Sequence, residues 1–481
     1  RRARLSQTLD TLCPRNLVSD DITLTAMLNY NWNRNQYSCD CDFVVTSLPG
    51  NWGVERTSFW AYSTEVRATT NFEGPINLMI GGLYEKSQRK FANGAVGGGL
   101  EKANSPDVYL TNAKDSRTKG ETVAVFGQVQ WDITDQIDLS AGVRYTHETK
   151  DSYFRHRYAN PALQALGRFI QGDCVADPST CIIANDKFSD WSPEFTLRYR
   201  PTSNLMLYGA YKTAYKSGGF SNSGIYGASA TVEDFAYEPE TVKGFEAGFK
   251  SELFDRQLRF NMQAFRYKYS NLQVDFFNSP IFAFSTINAG SVITKGIETD
   301  FEFAPRALPE ITLRGSLNYN HVRYGEFIAP CYAGQSSTFG CFALPNGQLR
   351  QDLGGKAPAI APEWTASLGV SYDTDISSGL KLGLTADARY SDNYLASAFG
   401  QPNSRQPSYI NLDASVRLQT ADERWELAVI GKNLTNEFVV NGVYDGPITG
   451  SGTGTANAVP ADQIGFVALP RTVQARITWR Y

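Results

Sequence analysis

The chain has 481 residues, 42% hydrophobic and 13% aromatic, with a formal net charge of -4. That composition is too apolar and too ring-rich for a disordered chain, and the basic residues are scattered singly, which excludes the clustered positive face of a nucleic-acid binder. Mean hydropathy is -0.33 and no run of about 18 uncharged apolar residues occurs, so helical membrane spans are excluded and any bilayer insertion must use strands.

Taken in chain order, strand-like runs of period two fall near 1–9, 22–31, 58–68, 76–86, 120–132 and 136–147. In the last of these Leu139, Ala141, Val143 and Tyr145 oppose Ser140, Gly142, Arg144 and Thr146, a greasy face against a polar one. Further runs follow near 188–199, 204–212, 240–250, 257–268, 295–304, 311–320, 364–373, 380–390, 408–418, 424–434 and 470–481. Most have the nine to eleven residues, roughly, that a tilted strand needs to cross a bilayer. Short turns such as Thr134 to Gln136, Pro201 to Asn204, Phe254 to Gln257 and Thr420 to Arg424 alternate with long polar loops near 148–187, 213–239, 269–294, 321–363, 391–407 and 435–469. Rings mark both ends of the runs, Trp131, Tyr199, Trp425 and Trp479 at the short-turn end and Tyr145, Tyr211, Tyr319 and Tyr390 at the other. Alternating strands, one-sided loops and two ring girdles define the predicted fold class: all-β, a transmembrane antiparallel β-barrel with short periplasmic turns and long extracellular loops.

Candidate chemistry is sparse. Seven cysteines and three histidines occur without CxxC or HExxH spacing, so no catalytic residue, metal set or cofactor is assigned and the chain is not read as an enzyme. Cys174 with Cys181 and Cys331 with Cys341 lie close together in polar loops, which suits local disulfides in an oxidising compartment. Cys13 falls in a short turn by this topology, and Cys39 and Cys41 have no assigned role. The run Tyr153, Phe154, Arg155, His156, Arg157, Tyr158 combines rings and cations in a predicted loop. Such a run suits an anionic, aromatic ligand, although solvated loop surface is its commoner use. In Tyr215, Lys216, Ser217, Gly218, Gly219, Phe220 the ligand reading competes with a simpler one, two glycines turning the chain out of the rim. Arg144, Arg314, Arg389, Glu298, Asp300 and Asp387 fall on the polar face, where mutual pairing is the expected state.

Several segments resemble the TonB-dependent receptors, in particular the branch common in sphingomonad- and Caulobacter-type bacteria. They include "FGQVQWDITDQIDLSAGVRYTHETKD", "WSPEFTLRYRPTSNLMLYGAYKTAYKSGGF", "YEPETVKGFEAGFKSELFDRQLRF", "INAGSVITKGIETDFEF", "LAVIGKNLTNEF" and the end "PRTVQARITWRY", in that family's order and over nearly the whole chain. The resemblance implies a barrel of about 22 strands, of which about seventeen are present here, with the N-terminal plug, its TonB box and about five strands expected to be absent. It implies outer-membrane localisation and import of a bulky, scarce nutrient, most readily a ferric siderophore. Partners would be the TonB complex acting through the plug, outer-membrane lipid, the barrel assembly machinery and a small-molecule ligand. Terminal Tyr481 resembles the family's assembly signal, and the stretch at Tyr215 departs from the "FRAP" pattern of haem receptors. Import of saccharides is the alternative within the family. A passive diffusion porin is the alternative of another class.

Overall fold

The computed structural model describes residues 3–12, 15–19, 21–40, 52–96, 110–167, 169–221, 223–224, 226–278, 283–445 and 463–480. Its dominant feature is one antiparallel sheet of eighteen hydrogen-bonded segments. Two of these, Ala3–Leu12 and Arg15–Ser19, pair in sequence with the same neighbour and together form one strand, β1. Seventeen strands therefore line the sheet among the described residues, each paired with the next in the chain. They are β1, β2 (Ile22–Asp40), β3 (Trp52–Thr70), β4 (Ile76–Val96), β5 (Asn112–Thr134), β6 (Ile137–Ala159), β7 (Ile182–Thr202), β8 (Leu205–Lys216) and β9 (Glu240–Leu253). The order continues through β10 (Leu258–Asn278), β11 (Ala283–Phe303), β12 (Ile311–Tyr324), β13 (Trp364–Ser377), β14 (Leu380–Ser391), β15 (Tyr409–Thr420), β16 (Trp425–Lys432) and β17 (Thr472–Trp479). No ladder joins β1 to β17 among the described residues.

Register fixes which face each side chain takes, because cross-strand partners share a face. On β5 the exposed Val123, Val125, Val129 and Trp131 define an outward face. Followed through the ladders, that face carries Ile80 (68% exposed), Leu197, Leu368, Ile410 and Ile477 (72% exposed). A contiguous exposed apolar band of this kind is stable only against lipid. The inward face is polar and internally paired: Arg198 and Arg200 hold Asp138, Arg314 lies 2.7 Å from Asp387, Arg417 2.6 Å from Asp373, and Glu426 binds both Arg476 and Arg480. Asp413 takes Lys432 at 3.1 Å and Arg389 at 3.4 Å. Glu298 and Asp300 accept from Gln263 and Asn261, while Arg144 donates to Thr146 and lies over the Phe126 ring.

Two sequence expectations need correction. The stretches near 148–187 and 269–294 are not loops throughout: β6 continues to Ala159, β7 begins at Ile182, and β10 and β11 form a hairpin reaching Asn278 and Ala283. The strands outrun the bilayer because their polar upper parts keep pairing with one another. The first described hairpin turns between Ser19 and Ile22, and both Leu12 and Arg15 pair with β2, opposite Leu28 and Thr25. Cys13, Cys41 and Tyr481 lie outside the described residues. Within the remaining loops, Cys174 is disulfide-bonded to Cys181 and Cys331 to Cys341, and Cys39, on β2, is also disulfide-bonded.

Candidate functional site: the inner face of the long-loop rim

Above the outer ring girdle, β4 to β7 rise as a polar wall whose inward face is covered by the segment between β8 and β9. Tyr153 to Tyr158 stands on β6, and the alternation of a strand divides it. Phe154 and His156 face inward and are buried, whereas Arg155 and Arg157 face outward with Tyr153. The outward group converges on Asp115: Arg155 Nε lies 2.8 Å and Arg157 Nε 3.6 Å from its carboxylate, and the Tyr153 hydroxyl donates to it at 3.3 Å. Arg155 also reaches Asp173. These two guanidiniums neutralise local carboxylates on the outer wall and do not face the lumen.

The inward half is an apolar knot. Phe154 packs edge-on against Tyr226 at 5.3 Å between ring centroids, Tyr226 meets Phe235 at 5.5 Å, and Phe235 meets Phe220 at 5.9 Å, with Ala184 beneath. Segment 217–239 therefore folds into the rim instead of turning out of it. Gly218 and Gly219 make this possible by close approach and not by unusual dihedrals. A Cβ on Gly218 would lie 2.5 Å from the Tyr237 carbonyl oxygen and 2.7 Å from the Phe188 ring. Polar groups fasten the segment on two sides. Lys150 Nζ donates to Ser217 Oγ and to the Gly218 carbonyl at 2.6 Å, while Gln273 Nε2 donates to the Ser217 carbonyl at 2.9 Å and Thr286 N to Ser221 Oγ at 2.8 Å.

At the centre lies Lys114, fully buried, whose ammonium nitrogen donates to the carbonyls of Ser223 and Gly224 and sits over the Phe91 and Phe154 rings. Burial pushes its pKa down to about 7, against the opposing pull of Glu55. Glu55 is itself raised by burial, with Lys114 pulling it back. His156 Nε2 lies 2.8 Å from the Tyr226 carbonyl and must carry the proton there, so Nδ1 is the acceptor toward Asn112. Burial lowers its pKa and keeps the ring neutral. Nothing in the sequence marked Lys114, Tyr226 or Phe235, because a lysine in a polar stretch gives no sign that it will be covered.

The remaining predicted candidates are placed as follows. Phe220 is in the knot, the buried Tyr215 hydroxyl has no hydrogen-bond partner among the described residues, and Lys216 is exposed at the end of β8 on the inward face. Arg89, on β4, is also exposed and inward, opposite Phe59. Neither Arg89 nor Lys216 makes an ion pair among the described residues. No group of three or more metal-ligating side chains is found among those residues.

A family model described as "TonB dependent receptor-like, beta-barrel" matches residues 2–434. The chain belongs to that family. It is an outer-membrane β-barrel of a Gram-negative bacterium, in a family of receptors and transporters that act with TonB on small-molecule ligands. Solved receptor structures share its fold. The ferric yersiniabactin uptake receptor FyuA from Yersinia pestis superposes with a TM-score of 0.73 at 16% identity, over 99% of this chain and 61% of that one. The siderophore receptor PiuA from Acinetobacter baumannii gives a TM-score of 0.67 at 17% identity, over 100% of this chain and 65% of that one. Among curated proteins, the pesticin receptor of Yersinia enterocolitica is 22% identical over 279 residues, 57% of this chain. The match covers only 35% of that relative's length.

Proposed function

We propose that this barrel imports a bulky anionic nutrient complex, most readily a ferric siderophore, in a TonB-driven cycle. The observation that carries the reading is segment 217–239 folded across the inner rim, beside two exposed inward cations, Arg89 and Lys216, that make no ion pair among the described residues. The buried rings anchor the segment against the wall, and the exposed cations beside it offer charge-assisted hydrogen bonds to catecholate or carboxylate oxygens. The fold neighbours FyuA, a ferric yersiniabactin uptake receptor, and PiuA, a siderophore receptor, support the ligand class. Of the sequence candidates, Lys216 would touch ligand, Phe154, His156 and Phe220 would hold the segment beside it, and Tyr215, opposite Thr241 on the outward register, would serve the wall with Tyr153, Arg155, Arg157 and Tyr158.

In this reading the seventeen strands are the sixth to last of a barrel of about 22 strands that holds a plug. The TonB complex would act through that plug. Lipid would contact the outward band, and Tyr481 would engage the barrel assembly machinery. The test is binding of ferric siderophores of differing charge, by tryptophan fluorescence, paired with growth under iron limitation. Arg89→Gln with Lys216→Gln should weaken an anionic complex by about 1 to 3 kcal/mol in total, and Arg155→Gln with Arg157→Gln should leave it unchanged. A transporter whose level and uptake ignore iron but rise on a saccharide refutes the siderophore reading and leaves the barrel intact.

A further inference from the structure

Register places four cations together on the outward face, where the sheet leaves the lipid band. Lys243 of β9 lies directly opposite Lys268 of β10, and Arg266 directly opposite Lys295 of β11. All four are exposed. Like charges set directly opposite in an antiparallel pair destabilise a sheet, yet none of the four has an ion pair or hydrogen bond among the described residues. The acids on neighbouring positions point the other way and are engaged: Glu246 with Lys212 and Tyr267, Glu240 with Gln273, Glu298 with Gln263. On the outward side, Glu363 is taken by His321 and Arg323.

Height matters as much as charge. Arg266 is level with Phe245, which packs against Tyr211 of the outer girdle at 4.9 Å. Lys243 and Lys268 are two residues farther toward the loops, about 7 Å at strand rise. The cations thus stand at headgroup level. Immediately below them one row of cross-strand neighbours runs Leu197, Gly209, Ala247, Ala264, Ile297. The side chains shrink to a hydrogen and two methyls across three strands, leaving an apolar groove of about 610 Å³ with Arg266 on its lining.

We propose that Lys243, Arg266, Lys268 and Lys295 bind the phosphate groups of a phosphorylated lipid of the surrounding leaflet, with one acyl chain lying in the groove over Gly209, Ala247 and Ala264. A phosphate between two directly opposed cations turns a repulsive pair into two charge-assisted contacts. The groove supplies the apolar complement that a soluble anion would not use.

The test uses the whole receptor purified in detergent, titrated with a bisphosphorylated glycolipid (lipid A), its dephosphorylated form and soluble inositol hexakisphosphate, and read by native mass spectrometry. Lipid A should bind as a discrete adduct, and Lys268→Gln with Lys295→Gln should weaken it about tenfold or more, the loss of one or two charge-assisted hydrogen bonds. Ala247→Phe, which fills the groove from the lipid side, should weaken lipid A while leaving inositol hexakisphosphate unaffected. Arg56→Gln, which removes an exposed cation elsewhere on the outer wall, should change nothing. Folding is followed by heat-modified gel mobility, which the Lys268→Gln, Lys295→Gln variant should retain because it relieves like-charge opposition. Wild-type affinity in that variant, equal binding of the dephosphorylated lipid, or inositol hexakisphosphate binding as tightly as lipid A would overturn the proposal.

Discussion

Lys114 offers a quantitative test of how the rim segment is held. Its pKa is about 7 when segment 217–239 is closed over it, and should return to about 10.5 when the segment opens to water. Between those values the open state binds one proton more than the closed state, so closure strengthens as pH rises, by about 1.4 kcal/mol or tenfold per pH unit. From pH 7.5 to 9.5 the opening constant should fall roughly a hundredfold. His156 is lowered from 6.5 and titrates below this window, while Tyr226, raised from 10.0, titrates above it. Glu55, raised by burial, acts in the opposite direction and cannot produce the rise. The assay is proteolytic cutting within 217–239, with each rate normalised to an unstructured peptide at the same pH. In Lys114→Met the pH slope should shrink to the remainder contributed by Lys150, whose pKa burial also lowers and which holds Ser217 and Gly218 of the same segment. Cutting at pH 9.5 should also quicken, because the Ser223 and Gly224 carbonyls lose their donor at a cost of about 1 to 3 kcal/mol. A flat wild-type profile, or the same slope in Lys114→Met, refutes the assignment.

Other consequences follow from the same geometry. Gly218→Ala should displace segment 217–239 at a cost of about 1 to 3 kcal/mol, seen as faster cutting at the same sites, since its Cβ would meet the Tyr237 backbone and the Phe188 ring. Replacing Cys331 and Cys341 by serine should loosen the loop between β12 and β13 by about 2 to 3 kcal/mol, read as local hydrogen exchange, with little effect on barrel assembly. An epitope tag at the exposed turn of Gly334 should be reached by antibody on intact cells and one at Ser203 or Ala421 should not; the reverse labelling would invert the topology.

The membrane-crossing part of the fold was legible because lipid imposes one requirement on every strand: residues such as Leu139, Val143 and Ile477 must alternate with polar neighbours. Above the ring girdle that requirement ends. Along Lys86–Val96, Asn112–Lys119 and Glu148–Ala159 both faces are polar and the period-two signal fades, so paired strand there falls outside the strand runs, and the stretch from 148 reads as a loop. The disulfides were legible from spacing, since Cys174 and Cys181 or Cys331 and Cys341 have little chain between them. The site itself was only half legible. A run of rings and cations at 153–158 announces unusual chemistry, yet its meaning depends on which side of the wall each residue takes.

That dependence is why register, and not composition, decides function here. One residue separates Phe154, buried under Tyr226, from Arg155, paired to Asp115 on the outer wall. A sequence window weighs both equally. The same logic works in reverse at Lys243, Arg266, Lys268 and Lys295, which lie tens of residues apart in part and form no run, but which two ladders set face to face. Charge that is already neutralised, as at Arg155 and Arg157, has little left to give a ligand. Unneutralised charge held in opposition, as on β9 to β11, costs the sheet stability and therefore points to a partner outside the chain. Mutations that separate the two classes, silent at Arg155 and costly at Lys268, would show that this distinction carries over from geometry to binding.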